Sequence, residues 1–249
     1  MTFLINGSSY STGYGLADGE QHAWPTVFGK LTNSSVLNIA MDGNSVDYLI
    51  YSTIKNVCLH DYKKVIIQWG PLNRTLLIRQ ENNYQINTGP SNNHFYTEGY
   101  LYTDTPEFKN YLRLHYKHWS NYLYNLKFSL QKVILLQEFL KSRNCQYLFF
   151  NGASWSLDKW LTLSTQEYAV KKKLLAAIDN MDDLQILDEE KEINNLYNQI
   201  DQTYYYDPIN FNLTEWCLDS GYVTDKHPTI VGQQEIAKFI LSLWQNMHD

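Results

Sequence analysis

Two segments at opposite ends of the 249-residue chain contain side chains that could form a nucleophile and its base. Near the start, the apolar residues Phe3 to Ile5 lead into a turn rich in Gly and Ser that contains Ser9. Near the end, His227 is followed by a proline and preceded, two residues earlier, by the carboxylate of Asp225. A serine hydroxyl becomes a strong nucleophile only when a base takes its proton, and an oriented imidazole is such a base. Because a Gly/Ser turn alone is usually only a turn, it is the combination of the two ends that predicts nucleophilic chemistry.

The elements that must position these residues alternate between short apolar runs and helix-like segments. This alternation predicts parallel strands joined by crossover helices, with the polar turns gathered at the carboxyl edge of the sheet. The candidate strands are Phe3 to Ile5, Val36 to Ile39, Val65 to Trp69 and Tyr147 to Phe150. The candidate helices are Trp24 to Leu31, Val46 to Ile54, a long apolar stripe from Leu123 to Leu140, and a last helix from about Val231 to Trp244.

Two segments do not follow this scheme. Residues 75–115 are polar and show no sustained period, which predicts a long excursion over the sheet end, of the kind that often binds substrate. Residues 156–215 have a mostly helical composition and predict a helical insertion. We expect one domain over residues 1–249, since this length suffices for one substantial core.

Composition narrows the class of partner. The net charge of −6 argues against nucleic-acid binding, which depends on clustered Lys and Arg. Neither a signal-peptide pattern nor an apolar run of membrane-spanning length is present. The three cysteines have no metal-binding or redox spacing, and we predict no metal and no cofactor. These features favour a cytoplasmic protein without a membrane partner, and a virion-associated protein is the alternative.

The blocks of residues just described resemble, in order, those of the SGNH or GDSL-like hydrolase family. Gly7-Ser8-Ser9-Tyr10 stands where the family has Gly-Asp-Ser-Leu, so that Ser9 matches the nucleophile, with Ser8 in place of the usual aspartate. The segment from Asn38 to Ser45 resembles the second block, in which Gly43 matches the glycine that donates a backbone N–H to the oxyanion.

The third and last blocks depart further from the family pattern. Gly70-Pro71-Leu72-Asn73 is one residue longer than the usual Gly-X-Asn, and Asn73 matches the side-chain amide donor. The family places an aspartate three residues before the histidine, whereas Thr224 occupies that position here and the carboxylate is Asp225. The resemblance therefore leaves two arrangements open: Asp225 orients His227, or Ser9 and His227 form a dyad held by a backbone carbonyl.

The resemblance implies a three-layer α/β/α sandwich with a parallel sheet of about five strands in the flavodoxin-like order. It implies a serine esterase that acts through an acyl-enzyme on Ser9, with an oxyanion hole made by Ser9, Gly43 and Asn73. The implied substrate is a short acyl ester, most simply an acetyl ester of a small molecule or a carbohydrate. Two alternatives are an O-acyltransferase on the same scaffold and a catalytically silent binding protein; the oligomeric state is not predicted.

Overall fold

The computed structural model of the protein describes residues 2–70, 75–79, 84–88, 96–97, 122–152, 183–207, 211–224 and 227–248. In chain order its strands are β1 (Thr2–Asn6), β2 (Ser35–Asn38), β3 (Lys64–Trp69), β4 (Thr75–Arg79), β5 (Tyr84–Thr88), β6 (Tyr96–Thr97), β7 (Gln146–Asn151), β8 (Tyr205–Tyr206), β9 (Val223–Thr224) and β10 (His227–Pro228). Its α-helices are α1 (Ser9–Thr12), α2 (Gly19–His22), α3 (Trp24–Leu31), α4 (Val46–His60), α5 (Tyr122–Ser142), α6 (Asp183–Gln199), α7 (Leu213–Asp219) and α8 (Ile230–His248).

The central sheet has five strands in the order β2-β1-β3-β7-β8. All four pairings between them are parallel. Counting only these five strands along the chain, the order is 2-1-3-4-5, which is that of the flavodoxin-like folds. The expected parallel sheet of about five strands in the flavodoxin-like order is therefore confirmed.

Alternation along the strands divides the buried side chains between the two faces of the sheet. On one face, residues such as Leu4, Ile67 and Phe149 pack against α4, α5 and α6. On the other face, residues such as Ile5 and Phe150 pack against α3, α7 and α8. This gives the predicted three-layer α/β/α sandwich.

Several predicted boundaries were wrong. The helix predicted to end at Ile54 continues to His60, and Asp61 ends it with a left-handed φ of 51°. The fifth strand, Tyr205–Tyr206, lies in the segment that was predicted to be helical. It was not predicted, because two residues are too few to show a pattern. Helix α6 does lie in that segment, but residues 153–182 and 208–210 are outside the described residues.

The predicted excursion at 75–115 contains strands β4, β5 and β6, which pair antiparallel. This small sheet was not predicted, and the rest of the segment is outside the described residues. In the part of the chain that the structure describes, no helix is both long and apolar enough to cross a membrane.

Candidate active site

Ser9 lies where the chain leaves the carboxyl end of β1. Gly7 and Ser8 connect the strand to the single turn α1, whose first residue is Ser9. Gly13 ends this turn in the left-handed region, at φ 75°, and its N–H donates to the Ser9 carbonyl oxygen. The half-buried Ser9 side chain thus stands at the carboxyl edge of the sheet, where open α/β folds bind their ligands.

His227 reaches the same edge from the far end of the chain. It begins β10, which forms a two-residue antiparallel ladder with β9 and leads into α8. Its Nε2 lies 3.1 Å from the Ser9 hydroxyl oxygen, across a separation of 218 residues. With Nδ1 carrying the ring proton, Nε2 accepts the Ser9 hydrogen, which is the arrangement that a serine nucleophile and its general base require.

A buried glutamine forms hydrogen bonds to the turn that carries Ser9. The Gln68 side chain, in β3, is 1% exposed. Its Nε2 donates to the Ser8 hydroxyl at 3.1 Å, and its Oε1 accepts from the Ser11 hydroxyl. The Ser11 oxygen also accepts from Trp24 Nε1 at 3.1 Å. The residues on both sides of Ser9 are therefore bonded to one side chain of the central sheet.

Gly7 and Gly152 have no side chain, which leaves room for the side chain of Gln68. A Cβ atom on Gly7 would lie 2.8 Å from Gln68 Oε1, and one on Gly152 would lie 2.0 Å from Gln68 Nε2. Both distances are shorter than a side chain could tolerate without moving the glutamine. The two small residues and the buried amide thus form one packed unit behind Ser9.

A pair of asparagines joins the same turn to the segment that contains Gly43. Asn6 Oδ1 accepts from the Gly7 N–H at 2.8 Å, and its Nδ2 lies 3.0 Å from the Leu49 carbonyl oxygen of α4. Asn44 Nδ2 donates to the Gly7 carbonyl oxygen at 2.9 Å. These bonds place the residue after Gly43 directly against the turn that carries Ser9.

Gly43 occupies the third position of a tight turn closed by the Asn44 N–H and the Met41 carbonyl oxygen, 3.1 Å apart. Its φ of 69° is of the kind that favours glycine at this position. Among the described residues, no acceptor bonds to the Gly43 N–H. Thr12 links this turn to α1, since its hydroxyl oxygen lies 3.0 Å from the Ser9 carbonyl oxygen and also contacts the Asp42 carboxylate.

Two predicted site residues, Asn73 and Asp225, lie outside the described residues. Their expected roles as oxyanion donor and orienting acid therefore stay predictions. Thr224, at the family's aspartate position, is the bridge partner of His227 in the β9–β10 ladder. Within the described ranges, the only hydrogen bond of the His227 ring is the one to Ser9.

Two tyrosine rings flank His227, at 5.7 Å for Tyr10 and 4.8 Å for Tyr14 between ring centroids. Tyr10 is buried, and burial raises the pKa of its hydroxyl. Cys217 lies in the same core cluster, and burial raises the pKa of its thiol to about 12. Both groups therefore stay protonated at neutral pH, and Cys217 is no rival nucleophile to Ser9.

Gln68, Asn6 and Tyr14 were not among the predicted site residues. Asn6 and Gln68 are polar residues at the carboxyl ends of otherwise apolar strands, a pattern that can indicate a buried hydrogen-bond network. Tyr14 belongs to the turn next to Ser9, and its adjacency to His227 depends on how the chain ends meet.

The fold is similar to those of solved structures. The chain matches a crystal structure of TesA with a TM-score of 0.52 and 12% identity, over 99% of each chain. It matches the psychrotrophic esterase EstA from Pseudoalteromonas sp. with a TM-score of 0.51 and 10% identity, over 98% of this chain and 97% of that one. The chain has the fold of the SGNH hydrolases. Neither a protein-family model nor a curated protein matches the sequence.

Within this SGNH fold, the described residues of the predicted blocks meet at one edge of the sheet. The first and last blocks are joined by the Ser9–His227 hydrogen bond, and the second is joined to the first by Asn44 and Gly7. The third begins at Gly70, where a Cβ atom would lie 3.3 Å from the Asn44 carbonyl oxygen. Fragments far apart in sequence thus converge on Ser9.

Proposed function

We propose that the protein is a serine esterase that removes a short acyl group, most simply acetyl, from a small-molecule or carbohydrate ester. The observation that carries this proposal is the 3.1 Å contact between Ser9 Oγ and His227 Nε2. It lies at the sheet edge where this fold class binds its ligands. The resemblance of the sequence blocks to the SGNH hydrolases, and the likeness of the fold to that of an esterase, support it further.

The proposed reaction begins when Ser9 Oγ attacks the ester carbonyl carbon while its proton passes to His227 Nε2. The carbonyl oxygen becomes an oxyanion, for which the N–H groups of Ser9 and Gly43 and the Asn73 amide are the proposed donors. As the first residue of α1, Ser9 has an N–H without an acceptor inside the helix. Collapse of the intermediate breaks the bond to the alcohol, which leaves with the proton from His227.

The acyl-enzyme is then hydrolysed by the same groups. Water gives its proton to His227 Nε2 and attacks the acyl carbon, and Ser9 leaves and recovers its proton. The ring of His227 needs a fixed orientation in both halves of the cycle. Asp225 and a backbone carbonyl are the two proposed ways of providing it.

A fluorophosphonate probe followed by peptide mapping tests the nucleophile. We expect the label on Ser9 and none after Ser9→Ala, whereas Ser242→Ala, which removes an exposed serine of α8, leaves labelling unchanged. The EstA structure is of a form inhibited by monoethylphosphonate, which makes this class of probe a natural choice. The absence of labelling on Ser9 would contradict the proposal.

Hydrolysis of 4-nitrophenyl acetate in buffer without an acceptor alcohol separates the esterase from its alternatives. An esterase releases nitrophenol and acetate continuously, and Ser9→Ala abolishes the release. An O-acyltransferase would release nitrophenol at a useful rate only when an acceptor alcohol is added, and the acetyl group would then form an ester with that alcohol instead of appearing as acetate. A silent binding protein would react with neither the ester nor the probe.

A further inference from the structure

The ring of Tyr14 lies beside His227 on the solvent side. Tyr14 is 46% exposed, whereas Tyr10, the other aromatic ring next to the imidazole, is 6% exposed. The centroid of the Tyr14 ring is 4.8 Å from that of His227, and the two planes make an angle of 50°. A partly exposed aromatic ring therefore lies next to the base.

The backbone fixes Tyr14 in this place. Its N–H donates to the Ser9 carbonyl oxygen at 3.3 Å, so that it continues the turn of the nucleophile. The neighbouring Gly13 meets Gly19 so closely that a Cβ atom on Gly13 would lie 2.3 Å from the Gly19 carbonyl oxygen. The loop between them is closed at its neck, and Tyr14 is held at one end of it.

The chemistry of ester cleavage determines which part of a substrate meets this ring. His227 must give its proton to the departing alcohol, so the alcohol oxygen comes within hydrogen-bond distance of Nε2. The acyl carbonyl points instead toward the oxyanion donors. Because the Tyr14 ring centroid is 4.8 Å from that of His227, the atoms of the alcohol next to the scissile oxygen come near the Tyr14 ring.

We propose that Tyr14 is a specificity-determining residue on which the ring of a cyclic alcohol rests. The preferred substrates are then acyl esters of alcohols with a flat face, either a pyranose or an aryl ring, rather than esters of open-chain alcohols. Aromatic side chains give such a face a large contact area together with a defined orientation. This inference depends on the proposed esterase function and adds the class of alcohol.

The test compares three acetates: a mono-acetylated methyl xylopyranoside, phenyl acetate and the open-chain 2-methoxyethyl acetate. In Tyr14→Ala we expect kcat/KM to fall by about three- to tenfold for at least one ring acetate. For the open-chain acetate kcat/KM should change by less than about twofold, because its alcohol has no ring to rest on Tyr14. Tyr14→Phe should retain the wild-type ratios, since the ring and not the hydroxyl supplies the contact.

Tyr51→Ala is the matched control, because Tyr51 is 49% exposed on α4 and its ring contacts are Tyr48 and Lys55. This variant should change none of the three values. If kcat/KM falls only for the xylopyranoside, the preferred alcohol is a sugar, and if it falls only for phenyl acetate, the preferred alcohol is an aryl ring. A fall for both means that Tyr14 accepts either kind of ring.

Equal losses on all three acetates in Tyr14→Ala would overturn the inference, because Tyr14 would then only support His227. Unchanged values on all three would overturn it as well. The proposed function fails differently: acetate release by the wild type would be absent or would persist in Ser9→Ala. The two failures are therefore distinguishable in the same set of assays.

Discussion

The turn that carries Ser9 and the hairpin that carries His227 differ in how firmly the fold holds them. Side chains from β1, β3 and the segment after β2 bond to the residues around Ser9, and these side chains are buried. The hairpin is closed at its base, just before α8 begins, where the Thr229 N–H donates to the Tyr222 carbonyl oxygen at 2.8 Å. In the described part of the chain, the His227 ring itself has one hydrogen bond and two ring contacts.

Activity depends on the positions of both the nucleophile and the base, and the fold fixes these two positions in different ways. The position of the nucleophile is tied to the stability of the core, because the same buried bonds serve both. The position of the base depends on a short ladder at the surface, so that a change there can alter catalysis without unfolding the protein. Substitutions on the two sides should therefore differ in the ratio of their effects on kcat and on the free energy of unfolding.

The largest effect is expected for His227→Gln. Loss of the base should lower kcat by about 10³-fold or more. The free energy of unfolding should change by less than about 1 kcal/mol, because a half-buried ring at the site edge is not part of the core. Steady-state kinetics and urea unfolding measure the two quantities. A loss of several kcal/mol would show that the hairpin is as integral to the core as the turn.

Gln68→Leu should affect both quantities. It removes the bonds to the Ser8 and Ser11 hydroxyls, and buried groups left without partners cost about 1–3 kcal/mol each. A small displacement of Ser9 should lower kcat by up to about 10²-fold.

Gln137→Leu is the matched control for this change. Gln137 is also 1% exposed, and it bonds to the backbone N–H and carbonyl oxygen of Asp201. We expect a similar loss of stability on urea unfolding, with kcat within about twofold of the wild type. If both variants lowered kcat equally, the effect of Gln68 would be one of general stability.

The sequence predicted Ser9 and His227 from the combination of a Gly/Ser turn after the first strand with a His-Pro pair before the last helix, and from the resemblance of both segments to blocks of the SGNH family. The four longer strands of the central sheet were predicted because parallel strands are short, continuous apolar runs. Strand β8 could not be predicted in this way, because its two residues become a strand only by pairing with β7. Gln68 was missed because its role depends on its partners Ser8 and Ser11, which lie about 60 positions away in the sequence, in and next to α1.

Thr224→Asp should hold the His227 ring more firmly in its orientation. Thr224 is directly opposite His227, and side chains on opposed residues of an antiparallel pair lie on the same face. A carboxylate there could accept from Nδ1 and stabilise the imidazolium, as in the Ser-His-Asp arrangement. We expect kcat at neutral pH to rise by about three- to tenfold, corresponding to about 1 kcal/mol.

Thr224→Asn and Asp225→Asn distinguish the sources of this gain. Thr224→Asn has the same shape as the aspartate without its charge and should give little of the increase. If Thr224→Asp gives no gain while Asp225→Asn lowers kcat, the imidazole is already oriented by Asp225. A gain in Thr224→Asp with no loss in Asp225→Asn would instead support the dyad.

The smallest effect is expected for Thr12→Val, which tests the link between the nucleophile and Gly43. The hydroxyl of Thr12 is the side-chain contact that joins α1 to Asp42, and its loss should cost about 1 kcal/mol. If the turn at residues 41–44 then shifts from Ser9, kcat should fall about two- to fivefold with little change in KM. Thr26→Val is the control, because its hydroxyl bonds at 2.7 Å to the Glu20 carbonyl oxygen, outside the proposed catalytic groups. An unchanged kcat in Thr12→Val would mean that the other bonds between the two segments, from Asn44 and Met41 to the Gly7 carbonyl oxygen, keep Gly43 in place without Thr12.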